Sequence, residues 1–212
     1  MWLFNDPPVA AIEKAYGFKL TQGWLEHVQK SCVRFSTGGS GSLVSKDGLV
    51  MTNHHVASEV LAQLSTSERD LLAQGYLAKG ASEELPCPDL ELLVLWTIED
   101  VTARVEGAAK PGMSAAEGGS AKRAEISRIE KEAGEKSGLK AEVVTLYKGA
   151  RYHLYSYKRF TDVRLVFAPE KTAAFFGGDP DNFEYPRFCL DVTFFRIYEG
   201  GKPLQPEHHL AW

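Results

Sequence analysis

The sequence predicts a mostly β chain with helical insertions. Strand-length runs, apolar or loosely alternating, recur at 42–51, 90–101, 141–148, 152–166 and 190–198. They are rich in Val, Leu, Tyr and Phe, residues that fit a pleated, half-buried surface. Turn residues punctuate them, most clearly Asp47-Gly48 and Glu199-Gly200-Gly201-Lys202-Pro203. With 212 residues, 44% of them hydrophobic and 25% charged, the chain can bury the core of one large soluble domain or two small ones.

Taken in order, Pro7-Pro8 opens a helix with Val9, Ile12, Ala15 and Tyr16 on one side, and Gly17 stops it. Thr21 caps a second helix with Trp24, Leu25 and Val28 as its stripe. Residues 1–30 thus read as a helical cover, and Trp2 and Trp24 as packing residues rather than a substrate groove. Residues 31–212 read as the strand-rich body. Within that body, Cys32 to Ser36 is a strand, and Gly38-Gly39-Ser40-Gly41 is a turn feeding a hairpin. No Lys-Ser/Thr pair follows these glycines, so a phosphate-binding loop is not expected. Ser42 to Lys46 and Leu49 to Met51 form the hairpin arms around Asp47-Gly48. After His55 the period turns helical through Val60, Leu61 and Leu64, and again over 67–77. Leu85-Pro86-Cys87-Pro88 reads as a loop. An insertion near 111–138 holds a charged helix, capped by Ser120 and running from Ala121 to about Lys136, with Ile126, Ile129 and Ala133 inward. In the last strand, Asp191, Thr193, Phe195 and Ile197 share one face, and Val192, Phe194 and Arg196 the other.

The bulk numbers exclude several classes of function. A net charge of −4 leaves no basic surplus for neutralising phosphates, so no nucleic-acid partner is expected. No apolar run is long enough to span a membrane, and Met1 to Pro8 lacks the basic and apolar regions of a secretory signal. Cys32, Cys87 and Cys189 are too scattered for a CxxC zinc site; one disulfide plus one free thiol remains open.

Two stretches carry chemistry. In the first, Gly38-Gly39-Ser40-Gly41-Ser42-Leu43-Val44-Ser45-Lys46-Asp47-Gly48-Leu49-Val50-Met51-Thr52-Asn53-His54-His55, a hairpin delivers a histidine just past a buried strand, which is a rigid mount for a general base. Adjacent strand residues point to opposite faces, so His54 and His55 are not expected to share a metal, and His54 is expected to play a supporting or surface role. The second stretch is Phe175-Phe176-Gly177-Gly178-Asp179-Pro180-Asp181-Asn182-Phe183-Glu184-Tyr185-Pro186-Arg187, a polar loop entering a strand. Either Asp179 and Asp181 tie down their own backbone, or the loop serves a ligand and a histidine.

Together these stretches resemble the S46 dipeptidyl peptidases, bacterial serine exopeptidases with a double β-barrel similar to chymotrypsin's, which implies that residues 31–212 are a chymotrypsin-like β-barrel part carrying the helical insertion near 111–138. The resemblance takes in Trp2, Pro7-Pro8 and Cys87-Pro88-Asp89-Leu90 and so extends over nearly the whole chain. Val56 stands where the family has Cys, Phe183 and Tyr185 where it more often has Trp, and Phe188-Cys189-Leu190 where a His-Thr-Gly type segment is usual. The resemblance implies that His55 is the catalytic base and Asp191 the triad acid, and that Asn182 and Phe183 recognise the substrate's N-terminal amine. It implies no cofactor and a periplasmic, cell-surface or secreted setting. The implied partners are peptides with a free N-terminus and, for the full-length protein, a second copy.

In the order His, Asp, Ser the nucleophile follows the acid. Yet none of the 21 residues after Asp191 is serine. Ser42 and Ser45 are better explained as hairpin residues. The chain is therefore expected to be the N-terminal part of a serine dipeptidyl peptidase, inactive alone and completed by a C-terminal half. The alternatives are a non-catalytic protease-like binding or structural module, and a trypsin-like endopeptidase, which would need no amine clamp.

Overall fold

The structure, a computed structural model, describes residues 2–181 and 184–210. In chain order it contains α1 (Val9–Tyr16), α2 (Gln22–Ser31), β1 (Cys32–Phe35), β2 (Ser40–Leu43), β3 (Leu49–Thr52), α3 (His54–Leu64), α4 (Leu71–Gln74), β4 (Tyr76–Leu77), β5 (Leu85–Pro86) and β6 (Leu92–Asp100). These are followed by α5 (Thr102–Glu106), α6 (Ala115–Ser137), β7 (Lys140–Leu146), β8 (Arg151–Phe160), β9 (Asp162–Ala168), α7 (Lys171–Ala174), α8 (Gly178–Asp181), β10 (Thr193–Glu199) and β11 (Lys202–Pro203). The chain divides into two compact units, residues 1–19 with 94–159 and residues 20–93 with 160–212. Among the described residues, no helix is long and apolar enough to cross a membrane.

The first unit is built on β6, β8 and β7, with β8 central. Helix α6 lays Ile126, Ile129 and Ala133 against Tyr152, Leu154 and Val143, beside Val101 and Val105. Its inward side is the expected one, but its start is not. Ser114 rather than Ser120 is the cap: the Glu117 N–H donates to Ser114 Oγ at 3.3 Å, and Ser114 N–H donates to Glu117 Oε2 at 2.8 Å. Gly118 and Gly119, unfavourable in a helix interior, disguise this first turn in the sequence.

The second unit carries the candidate site. Its antiparallel strands run β4-β9-β10-β3-β2-β1, with Leu92 and Leu93 of β6 continuing beyond β1. The sheet is open: among the described residues, no pairing joins β4 to the other end. Val33, Phe35, Leu43, Val50, Leu165, Phe195 and Ile197 fill its core, with the Phe35 and Phe195 rings 5.7 Å apart. The expected alternation of the last strand holds, since Thr193, Phe195 and Ile197 are fully buried. Two sequence expectations fail here. The helical reading of 67–77 shrinks to the four residues of α4, capped by the Asp70 carboxylate, because Gly75 turns the chain at φ 70° and Tyr76 enters β4. Leu85 and Pro86 are not a loop but a short strand at the sheet edge, where a residue without an N–H is tolerated.

A buried polar network pins the hairpin. Arg196 on β10 donates to Glu84 Oε1 at 2.9 Å and to the Asp47 carbonyl at 2.8 Å, and Tyr198 donates to Glu84 Oε2 at 2.8 Å. The Glu84 side chain is only 3% exposed, so the arginine neutralises a charge that burial would otherwise penalise. Ile197 N–H donates to the Gly48 carbonyl at 3.0 Å. Gly48 sits at φ 75°, and a Cβ there would come within 2.9 Å of the Leu204 carbonyl and 3.0 Å of the Ile197 carbonyl. The turn between β2 and β3 is therefore fixed, and with it the exit of β3 toward His55.

Candidate active site

Strand register brings the two candidate residues together. Thr52 at the end of β3 pairs with Thr193 at the start of β10. Continuing that antiparallel register two residues past the strand places Asp191 opposite His54, at the start of α3. The sequence expectation had His54 and His55 at a strand end. They are instead the first two residues of a helix, which separates their side chains by about 100° rather than by strand alternation. The separation still puts them in different surroundings: His54 is buried, not at the surface, whereas the His55 side chain is 71% exposed.

His55 and Asp191 meet twice. The His55 backbone N–H donates to Asp191 Oδ1 at 3.1 Å, and the ring Nδ1 lies 2.8 Å from Asp191 Oδ2. Burial raises the Asp191 carboxyl, but hydrogen bonds from the His55 ring and backbone outweigh it and hold the group below its ordinary value. An ionised carboxylate only accepts, so Nδ1 carries the proton, and the lone pair of Nε2 is free to take one. The Asp191 side chain is 20% exposed, less sheltered than a fully buried acid.

His55 and Asp191 open on a cleft of about 460 Å³, lined also by Lys171, Ala174, Phe175 and Arg187. The Leu190 N–H donates to the Ala173 carbonyl at 2.9 Å, tying the segment before Asp191 to α7. Phe175, at the cleft, opens the second chemical stretch; sequence reasoning missed Lys171 and Ala174, which lie in neither stretch, and Ser58, one turn after His54. Ser58 lines the cleft but donates its hydroxyl to the His54 carbonyl at 3.2 Å. The Ser45 hydroxyl is turned into the hairpin, onto Asp47. Asn182 and Phe183 lie outside the described residues.

The buried His54 imposes a pH dependence. Burial, the largest cause, pushes its imidazole below the ordinary value, against the pull of Asp191 and a hydrogen bond to the Pro169 backbone. The unfolded chain takes up this proton near pH 6.5, and the folded chain resists it. Stability should therefore fall as pH drops below about 6.5, with a slope of at most about 1.4 kcal/mol per pH unit, and level off below the folded value. Urea midpoints measured from about pH 7 to about pH 5 test this, and His54→Gln should flatten the slope.

Among the described residues, no group of three or more His, Cys, Asp or Glu could hold a metal ion. The three cysteines are free thiols; burial pushes Cys87 up to about 12, which leaves it unreactive.

The profile described as Peptidase S46 matches residues 1–212. The chain belongs to the peptidase S46 family. It is 37% identical over 178 residues to dipeptidyl-peptidase 7 of Capnocytophaga gingivalis, a match covering 83% of this chain and 25% of that protein. It is 34% identical over 211 residues to an Asp/Glu-specific dipeptidyl-peptidase of the same organism, covering 92% of this chain and 30% of the relative. The crystal structure of Porphyromonas endodontalis DPP11 in complex with the dipeptide Arg-Glu superposes with a TM-score of 0.80 at 29% identity. That match covers 99% of the S46 chain and 33% of the DPP11 chain. The S46 chain thus spans about a quarter to a third of the relatives it matches. The expected fold class, strands with helical insertions within a larger peptidase, holds over nearly the whole chain.

Proposed function

We propose that this chain supplies the general base, His55, and the orienting acid, Asp191, of a serine dipeptidyl peptidase that releases dipeptides from free peptide N-termini. The observation that carries the reading is the double contact between the two residues: ring Nδ1 to Oδ2 at 2.8 Å and backbone N–H to Oδ1 at 3.1 Å. The carboxylate fixes the Nδ1–H tautomer. His55 Nε2 takes the proton of a serine hydroxyl as it attacks the peptide carbonyl and returns it to the leaving amine, while Asp191 stabilises the imidazolium formed between. The serine comes from outside these 212 residues, since none follows Asp191 and the hydroxyls of Ser45 and Ser58 are engaged locally. Asn182 and Phe183 hold the substrate's α-ammonium end. The reading also takes the protein to work in the periplasm or at the cell surface, and to dimerise at full length.

The test is a polypeptide that joins this chain to the nucleophile-bearing segment. It is assayed on a dipeptide linked to a fluorogenic amine, with the N-terminus either free or acetylated. Release from the free substrate alone supports the proposal. Equal release from both would make the protein an endopeptidase, and release from neither a protease-like binding module.

A further inference from the structure

Asn53 stands at the N-cap of α3, where an asparagine side chain ordinarily accepts a hydrogen bond from the first turn. Here it makes no such bond. Its Nδ2 instead donates to the Asp191 carbonyl at 3.1 Å and to Asp191 Oδ2 at 3.3 Å. The Asp191 carboxylate meanwhile takes the N–H of His55 in the first turn of α3, where a negative charge also complements the helix dipole. The two residues have exchanged tasks: an acid 136 residues away in sequence serves the helix terminus, and the local cap residue grips that acid.

Resting on the function proposed above, we infer that Asn53 is a positioning residue for the reaction: it holds the main chain and carboxylate of Asp191 so that Oδ2 stays aimed at His55 Nδ1. Both partners of Nδ2 are pure acceptors, a carbonyl and an ionised carboxylate, so the orientation of the amide follows from the chemistry. The position calls for a donor. An aspartate of the same shape would set a second carboxylate against the first. Among the described residues, the hydrogen bonds of Asn53 Nδ2 go to Asp191. The other charged or titratable groups at the cleft, His54, Lys171 and Arg187, belong to its lining.

The test is a double-mutant cycle in the polypeptide that carries the nucleophile, using the free dipeptide substrate. Asn53→Ala should lower kcat about tenfold, the size of one net hydrogen bond, with KM within about twofold. Asn53→Asp, which keeps the shape and reverses the donor, should lower kcat about a hundredfold. In an Asp191→Ala background, Asn53→Ala should cost nothing further, because the group it positions is gone. An unchanged kcat in both single variants overturns the inference. So does a full tenfold loss that persists without Asp191, which would mark Asn53 as merely structural. If Asn53→Ala does not fold, Asn53→Asp carries the same cycle. His55→Ala is measured alongside: full activity there sinks the proposed function itself, whereas an inactive His55→Ala beside wild-type Asn53 variants sinks only this inference.

Discussion

Replacing His55 with alanine in the completed polypeptide should lower kcat/KM for dipeptide release by at least about 10⁴-fold, because among the described residues lining the cleft no other imidazole is open to the nucleophile and a carboxylate is a far weaker base. The nearest alternative, His54, is buried, its Nε2 is shut off from solvent, and burial already disfavours its protonated form. Lys171 at the cleft is a cation and donates rather than accepts. Because His55 is well exposed and its ring touches Asp191 rather than the core, the substitution should leave the free energy of unfolding within about 1 kcal/mol of wild type. That separation makes the measurement decisive: a large loss of rate in a protein that melts normally can only be chemical. A loss below about tenfold would show that the base lies elsewhere, and the double contact with Asp191 would then be a helix cap without catalytic use.

Much of the fold was legible because its signals are local. Gly17 ends α1 at φ 63°, Thr21 caps α2 by accepting from Trp24 N–H at 3.2 Å, and Gly48 turns the hairpin. Each is a steric or hydrogen-bonding demand met within four residues. The start of α6 was lost because two glycines masked a capping box that is itself local. Strands β4 and β5 were lost for a different reason: two residues carry no period, and only the pairing partner on β9, far along the chain, makes them strands. The Arg196–Glu84 pair, 112 residues apart, has no sequence signature at all. The candidate site divides in the same way. A histidine after a buried strand could be read from pattern, but Asp191 entered only through a family resemblance, and the register of β3 with β10 supplies the physical reason it lands there. Asn53 carries no signal of its role in the sequence, because an asparagine before a helix reads as a cap until its hydrogen bonds are known.

Replacing Asp191 with asparagine tests the mechanism more sharply than removing the base, since it keeps the side chain's shape while removing its charge and turning one acceptor into a donor. The new side chain must still offer an oxygen to the His55 backbone N–H, which can only donate. Its amide nitrogen is then forced into the Oδ2 position and donates to His55 Nδ1. This fixes the other tautomer, with the proton on Nε2, the nitrogen that must accept from the serine. The rate should fall about 10⁴-fold with substrate binding little changed. The exchange also sets the new amide against the Asn53 Nδ2, donor facing donor, so the grip on residue 191 loosens. Acid stability should change in a defined direction. Burial raises the Asp191 carboxyl and the His55 hydrogen bonds lower it by more, so in the wild-type chain its contribution is present above the unfolded value near pH 3.9 and lost as pH falls through the lower folded value. The asparagine variant should lack that part of the acid transition and keep the His54-dependent part at higher pH. Paired pH–rate and pH–stability curves for the two chains would show both effects. A rate within tenfold of wild type would mean that the carboxylate does not set the tautomer, and the proposed role of Asp191 would fall with it.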